Sequence, residues 1–129
     1  MQVYTKIIKV AYDDLDALNH VNNVRYVQWV NDIAQEHWQL KTTSQTRKDY
    51  FWVMLNHNIN YKVSAVLGET LELKTFVLKS EGVTSTRVVE IYNLNTQKLL
   101  ARSETHWCLM SQKTLRPIRI PDEIKTLFE

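Results

Sequence analysis

This chain of 129 residues holds one cysteine, Cys108, which excludes an intrachain disulfide and any cysteine-based zinc site. The apolar setting His106-Trp107-Cys108-Leu109-Met110 predicts a buried thiol behaving as a small hydrophobe. Long apolar runs are also missing. No segment approaches the roughly 18 residues that would cross a bilayer, so no membrane association is expected. The opening stretch, MQVYTKIIKVAYDD, lacks the basic start, apolar run and small-residue cleavage site of a secretory signal, so a cytoplasmic location is the expectation. A large charge excess is absent as well: the formal net charge is +2, too small to argue for nucleic acid, although it permits a phosphate-bearing ligand. No two of the four histidines stand at a ligand spacing with a carboxylate on one helix face, so no metal site is expected. There is no internal repeat and no low-complexity tract. Residues 1–129 read as one domain, with enough chain for one ordinary core.

What is present reads as strand, helix, then four strands. Val3 to Ala11 is rich in β-branched residues with partial alternation. From Asn23 to Leu40 the apolar residues Tyr26, Val27, Trp29, Val30, Ile33, Ala34 and Trp38 recur mostly three and four apart, the period of a helix. Trp29 and Trp38 are read as core. Thr42 to Asp49 is polar and aperiodic, a loop or a ragged short helical piece that could line a pocket together with its neighbours from Lys41 to Tyr50. Phe51–Tyr61, Thr70–Lys79, Val83–Leu94 and Leu99–Met110 follow as strands, separated by turn-like groups around Gly68, Gly82 and Asn93 to Gln97. Short connections make the last three an antiparallel meander, and the one long helix is the natural cover for its apolar face. A last strand and tail, Leu115 to Pro121, alternates apolar and basic residues. It reads as an edge with solvated charges, the alternative being a basic rim for a ligand phosphate supplied by Arg116 and Arg119. A short helix after Pro121 completes an α+β arrangement.

Between the first strand and the helix, Asp13, Asp14, Asp16, Asn19, His20, Asn22 and Asn23 lie close together. Asn and Asp at a helix start have an ordinary use, capping the free amides of the first turn. The same place suits catalysis. The helix amino terminus carries positive partial charge and unpaired N–H groups able to hold an oxyanion. A carboxylate beside it can attack or direct water, and thioester hydrolysis needs those two parts and no metal.

The run Asp14-Leu15-Asp16-Ala17-Leu18-Asn19-His20-Val21-Asn22-Asn23-Val24-Arg25-Tyr26-Val27-Gln28-Trp29 resembles the signature of the 4-hydroxybenzoyl-CoA thioesterase family and the corresponding segment of plant fatty acyl-ACP thioesterases. The likeness continues through Tyr61 to Glu69 and through the closing stretch to Pro121. It implies a hotdog fold, with an antiparallel sheet of about five strands wrapped around one long central helix. It also implies a homodimer or homotetramer with active sites where chains meet. By position, the resemblance makes Asp16 the catalytic carboxylate, as nucleophile or general base, with His20, Asn22 and Asn23 shaping the site. His57 and Asn58, on a strand expected to be central, are candidates to face a partner's site, and Tyr26 is a further substrate-binding candidate. Relatives often place cofactor phosphate contacts near the polar stretch containing Ser80, Thr84, Ser85, Thr86 and Arg87. Ser85 and Arg87 are therefore binding candidates there, beside the plainer reading of a solvated hairpin end. The implied activity is hydrolysis of acyl-CoA or acyl-ACP to acid and thiol, with no cofactor beyond the coenzyme A of the substrate. The alternatives are a non-catalytic acyl-thioester binding module and, last, a hydroxyacyl dehydratase, whose paired His and acid on a hydratase-type motif are not seen. Asn19 stands where many relatives carry glycine, Tyr61–Ala65 lacks the usual proline, and Glu69 replaces the usual aspartate.

Overall fold

The computed structural model describes all 129 residues. Five strands form one antiparallel sheet in the order β1-β3-β4-β5-β2: β1 (Tyr4–Lys9), β2 (Tyr50–Tyr61), β3 (Thr70–Glu81), β4 (Thr84–Asn93) and β5 (Leu99–Ser111). The helices are α1 (Asn23–Lys41), α2 (Ser44–Asp49) and α3 (Asp122–Lys125), with 3-10 turns at Tyr12–Asp14 and Thr126–Phe128. The α+β hotdog arrangement is thus present, with α1 as its filling.

Helix α1 buries Tyr26, Val30, Ile33, Ala34 and His37, a single stripe at helical spacing. That stripe packs on the concave face of the sheet. Leu71 and Leu73 from β3, Val89 and Ile91 from β4, and Leu100 and Ala101 from β5 close over it to form the main core. A smaller cluster of Leu109, Ile120 and Ile124 sits under Trp38, Tyr50 and Trp52 at the other end of the helix. Curvature comes from register shifts at Met54/Asn56 in β2 and Val77/Lys79 in β3, since a bulge bends its strand and adds twist. The helix is closed at its start by Asn22, whose side chain accepts from Val24 N–H. At its end the Thr42 N–H and hydroxyl both donate to Trp38 C=O.

Two expectations need correction, and one open alternative is resolved in favour of a helix. β2 lies at the edge of this sheet and not at its centre, because it pairs only with β5. The segment after Thr43 is a regular helical turn, since the Thr43 hydroxyl accepts from Thr46 N–H and supplies the cap an aperiodic sequence did not advertise. Leu115 to Pro121 is not a strand. It makes no ladder: an isolated bridge, Met110 with Pro117, and backbone bonds to Leu109 and Ser111 tie it to β5, and Ile120 N–H donates to Gly82 C=O.

Candidate active site

The loop from β1 to α1 is shaped by its own backbone. Asp16 N–H donates to His20 C=O at 2.7 Å, and Asn19 N–H donates back to Asp16 C=O at 3.1 Å. That tight reversal requires Asn19 at φ 63°, a left-handed conformation that asparagine tolerates better than other side-chain-bearing residues. Asp16 Oδ1 accepts from Leu18 N–H at 2.8 Å and His20 N–H at 3.2 Å. Oδ2 has no protein partner, so one oxygen fixes the carboxylate and the other is free to act.

Around it, the Asp14 carboxylate bonds Ala11 N–H at 2.8 Å and pairs with Arg25 at 2.9 Å, tying the loop to the first turn of α1. Of the first-turn amides, Val24 N–H is held by Asn22 Oδ1 and Arg25 N–H by Asn22 C=O. Asn23 N–H is left without an acceptor. It is the free donor at the positive end of the helix dipole. The His20 ring is exposed and makes no hydrogen bond; it is the His20 backbone that shapes the loop, through Asp16 and a bridge to Val66. The Asn23 side chain is exposed too. A shallow depression beside the carboxylate is lined by Tyr12, Leu15, Leu18, His20, Val66 and Leu67.

Tyr26 lies in the core at 3% exposure, where its hydroxyl accepts from Ala65 N–H at 3.1 Å, and burial raises its pKa. Its ring meets Tyr61 edge-on at 5.3 Å. The start of α1 is thereby stapled to the end of β2. Glu69, the departure noted in the sequence, accepts from Val66 N–H at 2.7 Å and from the Asn93 amide, and so holds the turn before β3.

His57 and Asn58 sit on the β2 edge. The His57 ring lies on the concave side, with Nδ1 2.8 Å from Thr105 Oγ1 and Nε2 buried without a partner. Burial lowers its pKa, so the ring is neutral near pH 7. Asn58 is exposed and accepts from the Asn60 amide.

Another hollow lies between the second half of α1, the Tyr50 end of β2 with the facing parts of β3, β4 and β5, α2 and α3: a cavity of about 330 Å³. Trp38, Trp52, Trp107 and Phe128 give it aromatic walls, and Arg47 and Tyr50 bring the segment after α1 into its lining. Ser85 and Arg87 form part of its floor. The reading of a solvated hairpin end fails here, because Ser85, Thr86 and Arg87 are all buried, at 5%, 6% and 7% exposure. The start of β4 is covered by the closing stretch and α3, a long-range contact that local sequence does not encode. Arg116 and Arg119 are exposed and lie outside this lining; the basic side chains at the cavity are Arg47, Arg87 and Lys125.

The cavity and Asp16 belong to opposite ends of α1. The α1 side chains that line the hollow begin at Asn31, about 12 Å of helix beyond Asn23, and no residue of the Asp16 loop joins that lining.

Comparison with known proteins gives three kinds of match. Residues 10–128 match the family model described as the thioesterase-like superfamily. The palmitoyl-acyl carrier protein thioesterase of Cuphea hookeriana is 32% identical over 89 residues, covering 69% of this chain and 21% of that protein. The long-chain acyl-CoA thioesterase FadM of Escherichia coli is 31% identical over 77 residues, 58% of each chain. This chain thus spans about a fifth of the length of the plant enzymes it matches and somewhat over half of FadM. Among solved structures, Slr0204, a 1,4-dihydroxy-2-naphthoyl-CoA thioesterase from Synechocystis, superposes with a TM-score of 0.85 at 17% identity, covering 98% of this chain and 96% of that one.

Proposed function

The chain belongs to the thioesterase-like superfamily, and on that premise we propose that it hydrolyses acyl thioesters of coenzyme A or acyl carrier protein, with Asp16 as the catalytic carboxylate. One observation carries the assignment. Asp16 is pinned through Oδ1 by two backbone amides, with Oδ2 free, next to a helix start whose Asn23 N–H has no acceptor. Asp16 attacks the thioester carbonyl carbon or takes a proton from a water that does so. The negative charge then moves to the carbonyl oxygen, where a preorganised N–H at a helix start stabilises it. Collapse of that adduct breaks the C–S bond and the thiolate leaves without metal assistance, giving the acid directly in the water route and, where Asp16 attacks, a mixed anhydride that a water then hydrolyses.

The working unit in this proposal is a pair of chains. β2 offers an unpaired edge with Val53, Met54 and Leu55 exposed, a surface that soluble proteins normally cover. Two β2 edges joined antiparallel about a two-fold axis bring the Tyr61 end of one strand beside the Tyr50 end of the other. The Tyr61 end holds the start of α1 and hence the Asp16 loop, through Tyr26 and Ala65. The Tyr50 end holds the cavity, through Tyr50 and Trp52. Asp16 of one protomer thereby serves the hollow of its partner, which reconciles a carboxylate and a cavity at opposite ends of one helix. Asn22 caps the helix, Asn23 supplies the oxyanion amide, and the exposed His20 and Asn58 line the seam where coenzyme enters.

The test is release of free thiol from short, medium, long and aromatic acyl-CoAs, with Asp16→Asn alongside. Turnover lost in the variant supports the reading. Equal turnover by both proteins contradicts the assignment of Asp16, and tight acyl-CoA binding with no turnover by either favours a binding module or a carrier-protein substrate.

A further inference from the structure

The cavity has 18 lining residues, among them three cations, Arg47, Arg87 and Lys125, and no carboxylate. Arg47 is spent on structure, its Nη1 donating to Gln39 C=O, Thr42 C=O and the Thr42 hydroxyl. Arg87 is different. It is 7% exposed and enters none of the molecule's six ion pairs. Its Nη1 donates to His37 Nδ1 at 2.9 Å and to Thr75 Oγ1 at 3.1 Å, and Phe128 packs 5.5 Å from the guanidinium carbon. Arginine has only donors, so His37 Nδ1 must be the acceptor and the ring is neutral.

None of these neighbours carries negative charge. His37 is held down to about pH 4 by burial and by Arg87 itself, and Arg87, lowered to about 10 by burial, still carries its proton at pH 7. An unpaired buried cation is costly, and replacing it by an apolar side chain would relieve that cost. Its Nε and Nη2 make no hydrogen bond within the chain, and they lie at the wall of a hollow that also presents the Ser80 and Ser85 hydroxyls. A planar fork of donors is the geometry that binds a carboxylate with two parallel hydrogen bonds. The surrounding surface of Trp38, Trp52, Trp107, Phe128 and Ile124 suits a hydrocarbon or an aromatic ring and not a hydrated phosphate chain.

We infer that the cavity takes the acyl group of the thioester and that Arg87 selects acyl groups carrying an anionic oxygen at the end far from the sulfur, a terminal or ring carboxylate. This rests on the thioesterase reading above and narrows its substrate class. The anionic oxygen could instead come from a coenzyme phosphate, and the two sources are separable by experiment.

The experiment compares kcat/KM on matched pairs of acyl-CoAs of equal chain length, one ending in methyl and one in carboxylate, for the wild-type chain, Arg87→Gln and Arg87→Met. Roughly a hundredfold preference for the carboxylate is expected in the wild type, the order that hydrogen bonds to a charged group supply. Both variants should lose that preference, chiefly through a raised KM for the carboxylate-ended substrate. Thermal melts of both variants check that lost selectivity is not lost folding. A wild-type preference near one, or a preference that survives both substitutions, overturns the inference. Binding of free coenzyme A and of inorganic pyrophosphate by calorimetry forms the second arm. If Arg87→Gln weakens these and leaves the acyl preference alone, phosphate is the ligand and the inference is wrong. Should neither acyl-CoA nor acyl-ACP be hydrolysed, the thioesterase reading falls separately. The cavity is then judged by binding of free monocarboxylic and dicarboxylic acids, where Arg87-dependent binding of the dicarboxylic acid alone upholds the assignment and equal binding overturns it.

Discussion

Asn19, at φ 63°, lets the chain reverse so that Leu18 and His20 amides converge on one oxygen of Asp16. A side chain fixed at one oxygen and free at the other is positioned without being neutralised. Asp16→Asn keeps the oxygen that accepts those amides and removes the carboxylate, so it should fold normally and lose about 10³-fold in kcat; thiol release and a thermal melt on the same sample check both halves. His37 yields a pH prediction. Its proton affinity is lowered from 6.5 to about 4 by burial, then by Arg87 and Lys41, so the unfolded chain binds a proton in that window and the folded chain does not. Stability is therefore fully present above about pH 6.5 and falls as pH drops toward 4, by on the order of 3 kcal/mol if the shift is realised in full. The lowered affinity of His57 acts in the same sense. Urea midpoints at pH 7 and pH 5 should differ, and His37→Gln, which does not titrate there, should flatten the difference.

Elements built from local periodicity were legible in the sequence. The stripe from Tyr26 to Trp38 gave α1 to within a residue, and β-branched runs gave the five strands to within one or two. The polar turn of α2 was ambiguous, because its cap and not its periodicity makes it a helix. The buried start of β4 was misread for a different reason. Ser85, Thr86 and Arg87 have surface chemistry, and only a tail arriving from Ile120 to Phe128 puts them inside. Likewise the motif around Asp16 drew attention to the carboxylate, while nothing near Arg87 in sequence marks a cavity assembled from five separate stretches of chain. Two small deletions test how the start of α1 is held. Asn22→Ala removes the acceptor for Val24 N–H and should cost about 1 kcal/mol. Tyr26→Phe leaves the Ala65 amide buried without its acceptor and should cost about 1–2 kcal/mol. Urea titrations of the two variants give both values, and a Tyr26→Phe chain as stable as the parent would show that the staple between α1 and the β2–β3 connection does little.

For the whole molecule, the proposal is a two-fold pair with shared sites, supported by the unpaired β2 edge and by the absence of the Asp16 loop from the cavity lining. Val53→Lys combined with Leu55→Lys puts charge on that edge and should give monomers in sedimentation, with thiol release reduced more than tenfold. The most direct measurement is complementation between two inactive variants. One is Asp16→Asn; the other is Gln35→Trp, an exposed helix position at the cavity where a bulky ring closes the hollow without disturbing the core. The two are unfolded together, refolded and assayed for thiol release. In a shared-site dimer the mixed pair has one intact site, Asp16 from the second variant and the open cavity from the first, so random pairing should restore roughly a quarter of the wild-type rate. If the mixture stays as inactive as its components while the wild-type chain turns over, carboxylate and cavity do not act across the pair, and the account is wrong.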